Sequence, residues 1–365
     1  VSQETEQARA LLAAIRRRQS QPWTLMEVCG GQTHAILRHG LDQLLPPELE
    51  LIHGPGCPVC VTAAAVVDRA QELAATPGVI LCSYGDMLRV PGSGPSDLLA
   101  VRAAGGQVRV VYSPLDVLAI ARDHPLSTVV FLAVGFETTA PATALLAHRA
   151  WSEGIGNLAL LVSLVRVPPA MEAILAAPGS RVQGFLAAGH VAAVMGTEEY
   201  GPIVDRHRVP IVVTGFGLIE LLQGVLRCVI QLEEGRHGVE NAYPSGVRRG
   251  GNPVARQLIR RVLEPCDQTW RGLGVLPAGG LRLRPPYDRL DAVRLLPSGP
   301  VRAPELAQSP CISGRVLQGL ARPSDCPSFG VGCTPDRPLG APMVSSEGAC
   351  AAYHRYRLEQ VIASR

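Results

Sequence analysis

The sequence contains no lysine; all 34 of its basic residues are arginine. A P-loop needs a lysine to reach phosphates, and Schiff-base and pyridoxal-phosphate enzymes need an amine nucleophile, so those mechanisms are excluded. Aromatic residues are scarce at 4%, no basic run alternates with them, and the net charge of +3 is small for 365 residues. A nucleic-acid partner is therefore not expected. Nowhere do about 18 apolar residues follow one another, so no membrane-spanning helix is expected. The N-terminal VSQETEQARALLAAIRRRQS reads as a charged amphipathic helix without the apolar stretch or small-residue cleavage site of an export signal. A cytoplasmic location is expected. In that compartment ten cysteines read more readily as metal ligands or redox thiols than as a disulfide frame.

What the chain does have is small aliphatic residues. With 47% hydrophobic and 18% charged residues it is globular, and its length favours two or three domains. From Thr24 to about Gly235, short β-branched or aliphatic runs alternate with helical stretches, the pattern of a parallel α/β sheet. Strands are expected at TLMEV, LELIH, VILCS, VRVVY, TVVFLAV, LALLVS and PIVVTGF. Helices are expected at THAILRHGLDQLL, VTAAAVVDRAQELAA, SDLLAVRAAG, LDVLAIARDH and ATALLAHRAWSEG. A break near Ser113-Pro114 divides this part into a first lobe, 1–113, and a second, 114–235. After Gly235, Gly, Pro and Arg become frequent and five of the ten cysteines appear, so 236–365 reads as an irregular, metal-stapled domain. The expected fold class is α/β, with two parallel-sheet lobes and a cysteine-rich iron-sulfur domain.

Cys311, Cys326, Cys333 and Cys350 form a C-x14-C-x6-C-x16-C series. Structural zinc sites usually take their thiolates in closely spaced pairs, so these wide gaps fit a four-iron four-sulfur cluster better and leave zinc as the alternative. Cys57 and Cys60 make a C-x-x-C at the start of the helix expected over VTAAAVVDRAQELAA. A helix N-terminus stabilises thiolate and favours disulfide exchange; half of a zinc site is the competing reading. Cys29 ends a strand in LMEVCGGQTHAI, where two glycines allow close approach of a ligand and His34 is expected to share the same space. Cys82 and Cys228 read as core thiols, and Cys266 is not counted as a ligand.

Seven motifs together resemble one family, HypD, the hydrogenase maturation scaffold. They are MEVCGGQTHAI, HGPGCPVCVT, SYGDMLRVPGS, VGFETTAP, GFLAAGHV, WRGLG and the tail DCPSFGVGCTPDRPLGAPMVSSEGACAAY. The resemblance covers almost the whole chain. It implies three domains, two of α/β type and one holding a four-iron four-sulfur cluster. It also implies a maturation scaffold that works with the small partner HypC. The two hold an iron while it acquires two cyanides, from HypE, and one carbon monoxide, for transfer to the large subunit of a nickel-iron hydrogenase. Carried over by motif, Cys29 is the thiolate facing the iron, Cys57 and Cys60 the redox pair, and Cys311, Cys326, Cys333 and Cys350 the cluster ligands.

His34, Asp86, Glu137, Thr138, His190 and Glu347 lie in the matched motifs and are candidates for proton transfer around the iron. For Asp86 a turn role competes, and Glu137 and Thr138 also suit a helix cap. The chain departs from the family at Pro342 and Ser313, where cysteines often stand, at Ala188 in place of proline, and at GFGL in place of GFEP. Two other classes are weighed against the scaffold. One is a stand-alone iron-sulfur thiol-disulfide oxidoreductase, which leaves Cys29 unused; the other is a zinc-stapled interaction module.

Overall fold

The computed structural model describes residues 3–296 and 310–363. Among the described residues, eleven strands form two sheets. The strands are β1 (Trp23–Glu27), β2 (Leu49–His53), β3 (Val79–Ser83), β4 (Val108–Val110), β5 (Thr128–Gly135) and β6 (Leu158–Val165). They continue with β7 (Gly184–Ala188), β8 (Ile211–Thr214), β9 (Val239–Asn241), β10 (Leu263–Trp270) and β11 (Gly274–Leu283). The first sheet has the order β2-β1-β7-β8-β9 and is parallel throughout. The second has the order β10-β11-β6-β5-β3-β4, parallel from β6 to β4 and extended by the antiparallel hairpin β10-β11. The α/β class read from the alternation is the one observed.

The sheets are not the two sequence lobes. The chain leaves the first sheet after β2, builds β3 to β6 of the second, returns for β7 to β9, and crosses once more for the hairpin. Strands on both sides of the Ser113-Pro114 break therefore share the second sheet. Apolar periodicity reveals that a strand is buried but not which sheet receives it. The stretch after Gly235 is also more regular than its glycines and prolines suggest. The helix Pro253–Val262 leads into β10, whose residues between buried Leu263 and Trp270 alternate between half-buried and exposed. Pro265 is tolerated because β10 is an edge strand, and a register shift between Cys266 and Gln268 breaks the ladder beside it.

β7 was not expected from the sequence. GFLAA has few β-branched residues, yet all five are buried and the strand lies at the centre of its sheet. Gly40, at φ 67°, splits the helix expected over THAILRHGLDQLL into Gly30–His39 and a short turn, Leu41–Leu44.

One apolar core runs from the first sheet (Met26, Phe185, Val213) through the helices Ala64–Ala75 and Val167–Ala176 to the second (Leu81, Val130, Leu161). Leu25, the neighbour of Met26 on β1, points the other way, towards the helices Gln3–Arg18 and Leu218–Glu233. A smaller cluster surrounds Cys326, Cys333, Phe329 and Met343 in the tail. Cys82 and Cys228 are fully buried, as core thiols should be. Among the described residues no helix is long and apolar enough to cross a membrane.

Candidate thiol and metal site

Parallel strands deliver their following loops to one edge, and the first sheet uses that edge for most of the expected chemistry. Cys29 follows β1, the GPGCPVC turn follows β2, His190 follows β7 and Phe216 follows β8. Cys29 is only 3% exposed. Its Sγ lies 3.7 Å from His190 Nδ1 and 3.9 Å from Nε2, and the imidazole stacks on Phe216 at 5.3 Å between centroids. Burial pushes the Cys29 thiol up to about 12 and lowers the pKa of His190. Burial thus favours a protonated thiol beside a neutral imidazole, and a metal cation is a species that can displace that proton.

The loop carrying Cys29 is fixed by a carboxyl group that the sequence reading passed over. Glu27 is fully buried. One oxygen accepts the Cys29 amide at 2.8 Å; the other accepts the Thr33 hydroxyl and pairs with His53 Nδ1 at 2.7 Å. The carbonyl of Glu27 accepts the Gly54 amide at 2.8 Å, and the Gly30 amide donates to Gly56 at 2.9 Å. A Cβ on Gly56 would lie 2.2 Å from the Cys29 nitrogen. Only glycine lets the β2 turn press this closely on Cys29, which brings the next residue, Cys57, to the same place.

Cys57 and Cys60 are joined in a disulfide, both buried. The helix expected behind them is interrupted. Pro58–Val61 is a single turn, and the long helix begins only at Ala64, beyond an extended Thr62 and Ala63. The stabilisation of thiolate by a long helix N-terminus expected from the sequence is thus absent; locally the Cys60 amide donates to Cys57 Sγ at 3.2 Å. The break arises because Thr62 turns back, its hydroxyl bonding the Pro58 carbonyl, and pairs with Trp270.

The four tail cysteines converge. Burial raises the pKa of Cys350, and the charges of Cys311, Cys333 and Cys326 raise it further. Cys333 is raised by burial and by Cys311 and Cys326, while the Leu339 amide donates to its sulfur at 3.3 Å. Gly340 abuts Cys311, a Cβ there falling 2.5 Å from Sγ. Among the described residues no three His, Cys, Asp or Glu side chains are arranged as a formed ligand set. The donor chemistry nonetheless suits an iron-sulfur group. Four neighbouring thiolates, two buried and two half-buried, repel one another unless a positive centre joins them, and a backbone amide already points at one sulfur. Pro342 stands in the first turn of Ala341–Val344, where proline costs no hydrogen bond, and Ser313 opens Ser313–Leu317. The turn Ala341–Val344, between Cys333 and Cys350 in the sequence, packs on Pro58–Val61, the turn that carries Cys60.

The remaining candidates are spread more widely. His34 turns away from Cys29, as five helical steps of about 100° require; its ring bonds the Ser346 carbonyl at 2.6 Å and Tyr356 at 3.2 Å, tying its helix to the tail. Glu347 lies against Gly30 and is exposed on its other side. Its carboxyl is pushed up by burial and by the charge of Asp86, which is exposed at the start of the turn Gly85–Arg89. Glu137 and Thr138 do not cap the helix Ala140–Ser152. Instead one oxygen of Glu137 accepts the Val167 amide at 2.9 Å and the other has no hydrogen-bond partner among the described residues.

Burial pushes the Glu137 carboxyl up to about 7. Its folded value exceeds the unfolded one, so between roughly pH 4.5 and 7 the folded chain holds a proton that the unfolded chain has lost. Stability should fall through that window by about 3 kcal/mol and level off above it. Urea unfolding at pH 5 and pH 8 checks this: Glu137→Gln should flatten the difference and be the more stable chain at pH 8. An unchanged pH dependence would refute the assignment.

The sequence-based family model HypD, described as the hydrogenase formation hypA family, matches residues 6–357. The chain is 47% identical over 344 residues to hydrogenase maturation factor HypD of Azotobacter vinelandii, covering 92% of this chain and 89% of the relative. It is 46% identical over 360 residues to the factor of the same name from Rhodobacter capsulatus, covering 96% and 95%. To that of Escherichia coli K12 it is 42% identical over 365 residues, covering 97% and 96%.

Proposed function

Because this chain belongs to the HypD family of hydrogenase maturation factors, we propose that it is the scaffold on which a ferrous ion receives two cyanides and one carbon monoxide. The observation that carries the reading is the Cys29 thiol. It is fixed through Glu27, faces His190 at 3.7 Å and is pressed from behind by the turn that holds the Cys57–Cys60 disulfide. Thiolate is a soft donor suited to low-valent iron with strong-field ligands. The iron is cargo: binding it exchanges the Cys29 proton for the metal, and His190 is the group placed to take that proton. A HypC-like small partner completes the coordination, a HypE-like protein donates cyanide, and the large subunit of a nickel-iron hydrogenase receives the product.

Cys311, Cys326, Cys333 and Cys350 would hold the resident group, a four-iron four-sulfur cluster, which would supply single electrons to the Cys57–Cys60 disulfide. Reduction breaks the sulfur-sulfur bond and leaves two electrons and two protons on Cys57 and Cys60, giving a dithiol beside Cys29. In the proposed role these thiols protect the site, or return to the disulfide by giving up two electrons and two protons while the ligands are installed.

Infrared spectroscopy of the chain copurified with its small partner tests the scaffold reading. Stretching bands of cyanide and carbon monoxide on iron are expected. A complex that contains iron yet shows neither band would end it.

A further inference from the structure

The WRGLG segment is used by neither sulfur site, yet it lies between them. Trp270 pairs with Thr62 in an antiparallel bridge, and the Arg271 amide donates to the Val61 carbonyl at 2.8 Å. The Arg271 side chain continues the grip: Nε donates to the Thr62 carbonyl at 2.8 Å and Nη2 to the Pro91 carbonyl at 2.9 Å. Three carbonyls of the segments that follow the disulfide and β3 are thereby tied to one arginine.

On the far side Gly272, at φ 85°, approaches the tail so closely that a Cβ would fall 2.8 Å from Gly314 Cα. Gln318 Nε2 donates to the Gly272 carbonyl at 2.7 Å. Gly314 and Gln318 belong to the short segment that follows Cys311. Burial lowers the pKa of Arg271, while the charges of Asp68 and Cys311 raise it. Gly272, next to Arg271, thus sits against Gly314, three residues after Cys311, and this contact brings the desolvated guanidinium towards Cys311.

We propose that Arg271 is a positioning residue that locks the Cys57–Cys60 turn to the four-cysteine segment and sets a positive charge beside Cys311. The inference rests on the cluster reading. A positive charge next to a redox centre favours its reduced, more negative form and strengthens the hold of thiolate ligands on their metal. Lysine keeps the charge while losing the planar fork; glutamine removes the charge. Asp68 partly offsets the guanidinium, so its removal works in the opposite sense.

The test compares the full chain with Arg271→Gln, Arg271→Lys and Asp68→Asn, each reconstituted anaerobically with ferrous iron and sulfide. Iron and sulfide per chain and the reduction potential of the bound centre, followed by electron paramagnetic resonance, are the readouts. Arg271→Gln should shift the potential downward and weaken iron retention against a chelator about tenfold or more. Arg271→Lys should return both towards the parent. A glutamine variant that titrates with the parent, or a lysine variant displaced as far as the glutamine one, overturns the proposal. If the glutamine variant does not fold, Asp68→Asn decides: an upward shift supports the proposal and the parent potential overturns it. Failure of the cluster reading gives a different result, a parent chain that retains zinc and no sulfide. The comparison then passes to zinc, which Arg271→Gln should surrender to a chelator about tenfold more readily; equal retention overturns the proposal. A parent that retains neither metal overturns both.

Discussion

Cys29→Ala is expected to abolish the infrared bands of cyanide and carbon monoxide in the complex with the small partner while leaving a folded chain. The thiol is 3% exposed, so the substitution removes one buried sulfur, a loss of about 1 kcal/mol that a domain of this size can absorb. The chemical loss is of another order. With the Cys29 thiol gone and Cys57 and Cys60 joined as a disulfide, the neighbouring imidazole and the ring of Phe216 offer no soft anionic donor to exchange a proton for ferrous iron. Reduction and reoxidation of Cys57 and Cys60 should proceed as in the parent chain. The same variant thus separates the scaffold from a stand-alone thiol-disulfide oxidoreductase. Bands that persist in Cys29→Ala would move the iron elsewhere and remove the reason for the architecture around this loop.

Much of that architecture was legible in the sequence because it obeys local rules. LELIH and VILCS form β2 and β3 at the expected residues, and TVVFLAV extends by one residue to form β5. These are β-branched runs bounded by turns, and their character does not depend on the rest of the fold. The sheet assignment was not legible, because β7 owes its strand to burial at the sheet centre rather than to the propensity of GFLAA. The candidate site divides in the same way. Cys29, Cys57, Cys60 and His190 are found together because each stands just after a strand of one parallel sheet, and strand ends are visible in sequence. Glu27, Tyr200 and Arg271 were missed although Glu27 and Arg271 lie inside quoted motifs. Nothing local marks Glu27 as the buried acceptor of the Cys29 amide, or Tyr200 as a phenol raised by burial and by the charges of Glu137, Glu199 and Cys29. The imidazole beside Glu27 arrives from β2, and the acid beside Tyr200 from the loop after β5.

Glu27 carries the second large effect. Its two oxygens serve the Cys29 amide, the Thr33 hydroxyl and His53, all buried. Glu27→Leu matches the apolar surroundings in size but strands three polar groups away from water, each costing about 1–3 kcal/mol when left unpaired. A loss of about 3–5 kcal/mol in urea unfolding is expected, the range found when one member of a buried pair is removed. Glu27→Gln keeps the shape and still accepts the amide, but its NH2 group now meets donors where the second oxygen accepted them. An intermediate loss follows, with the Cys29 loop displaced. The decisive measurement is the double variant. His53 Nε2 has no hydrogen-bond partner among the described residues, so His53→Phe added to Glu27→Leu removes a stranded imidazole and should recover about 1 kcal/mol or more of the single-variant loss. Strict additivity of the two substitutions would show that the carboxyl and the imidazole do not act as a pair. Iron retention in the double variant should remain low even where stability returns, because the Cys29 amide is still unheld and the thiol no longer stands opposite His190.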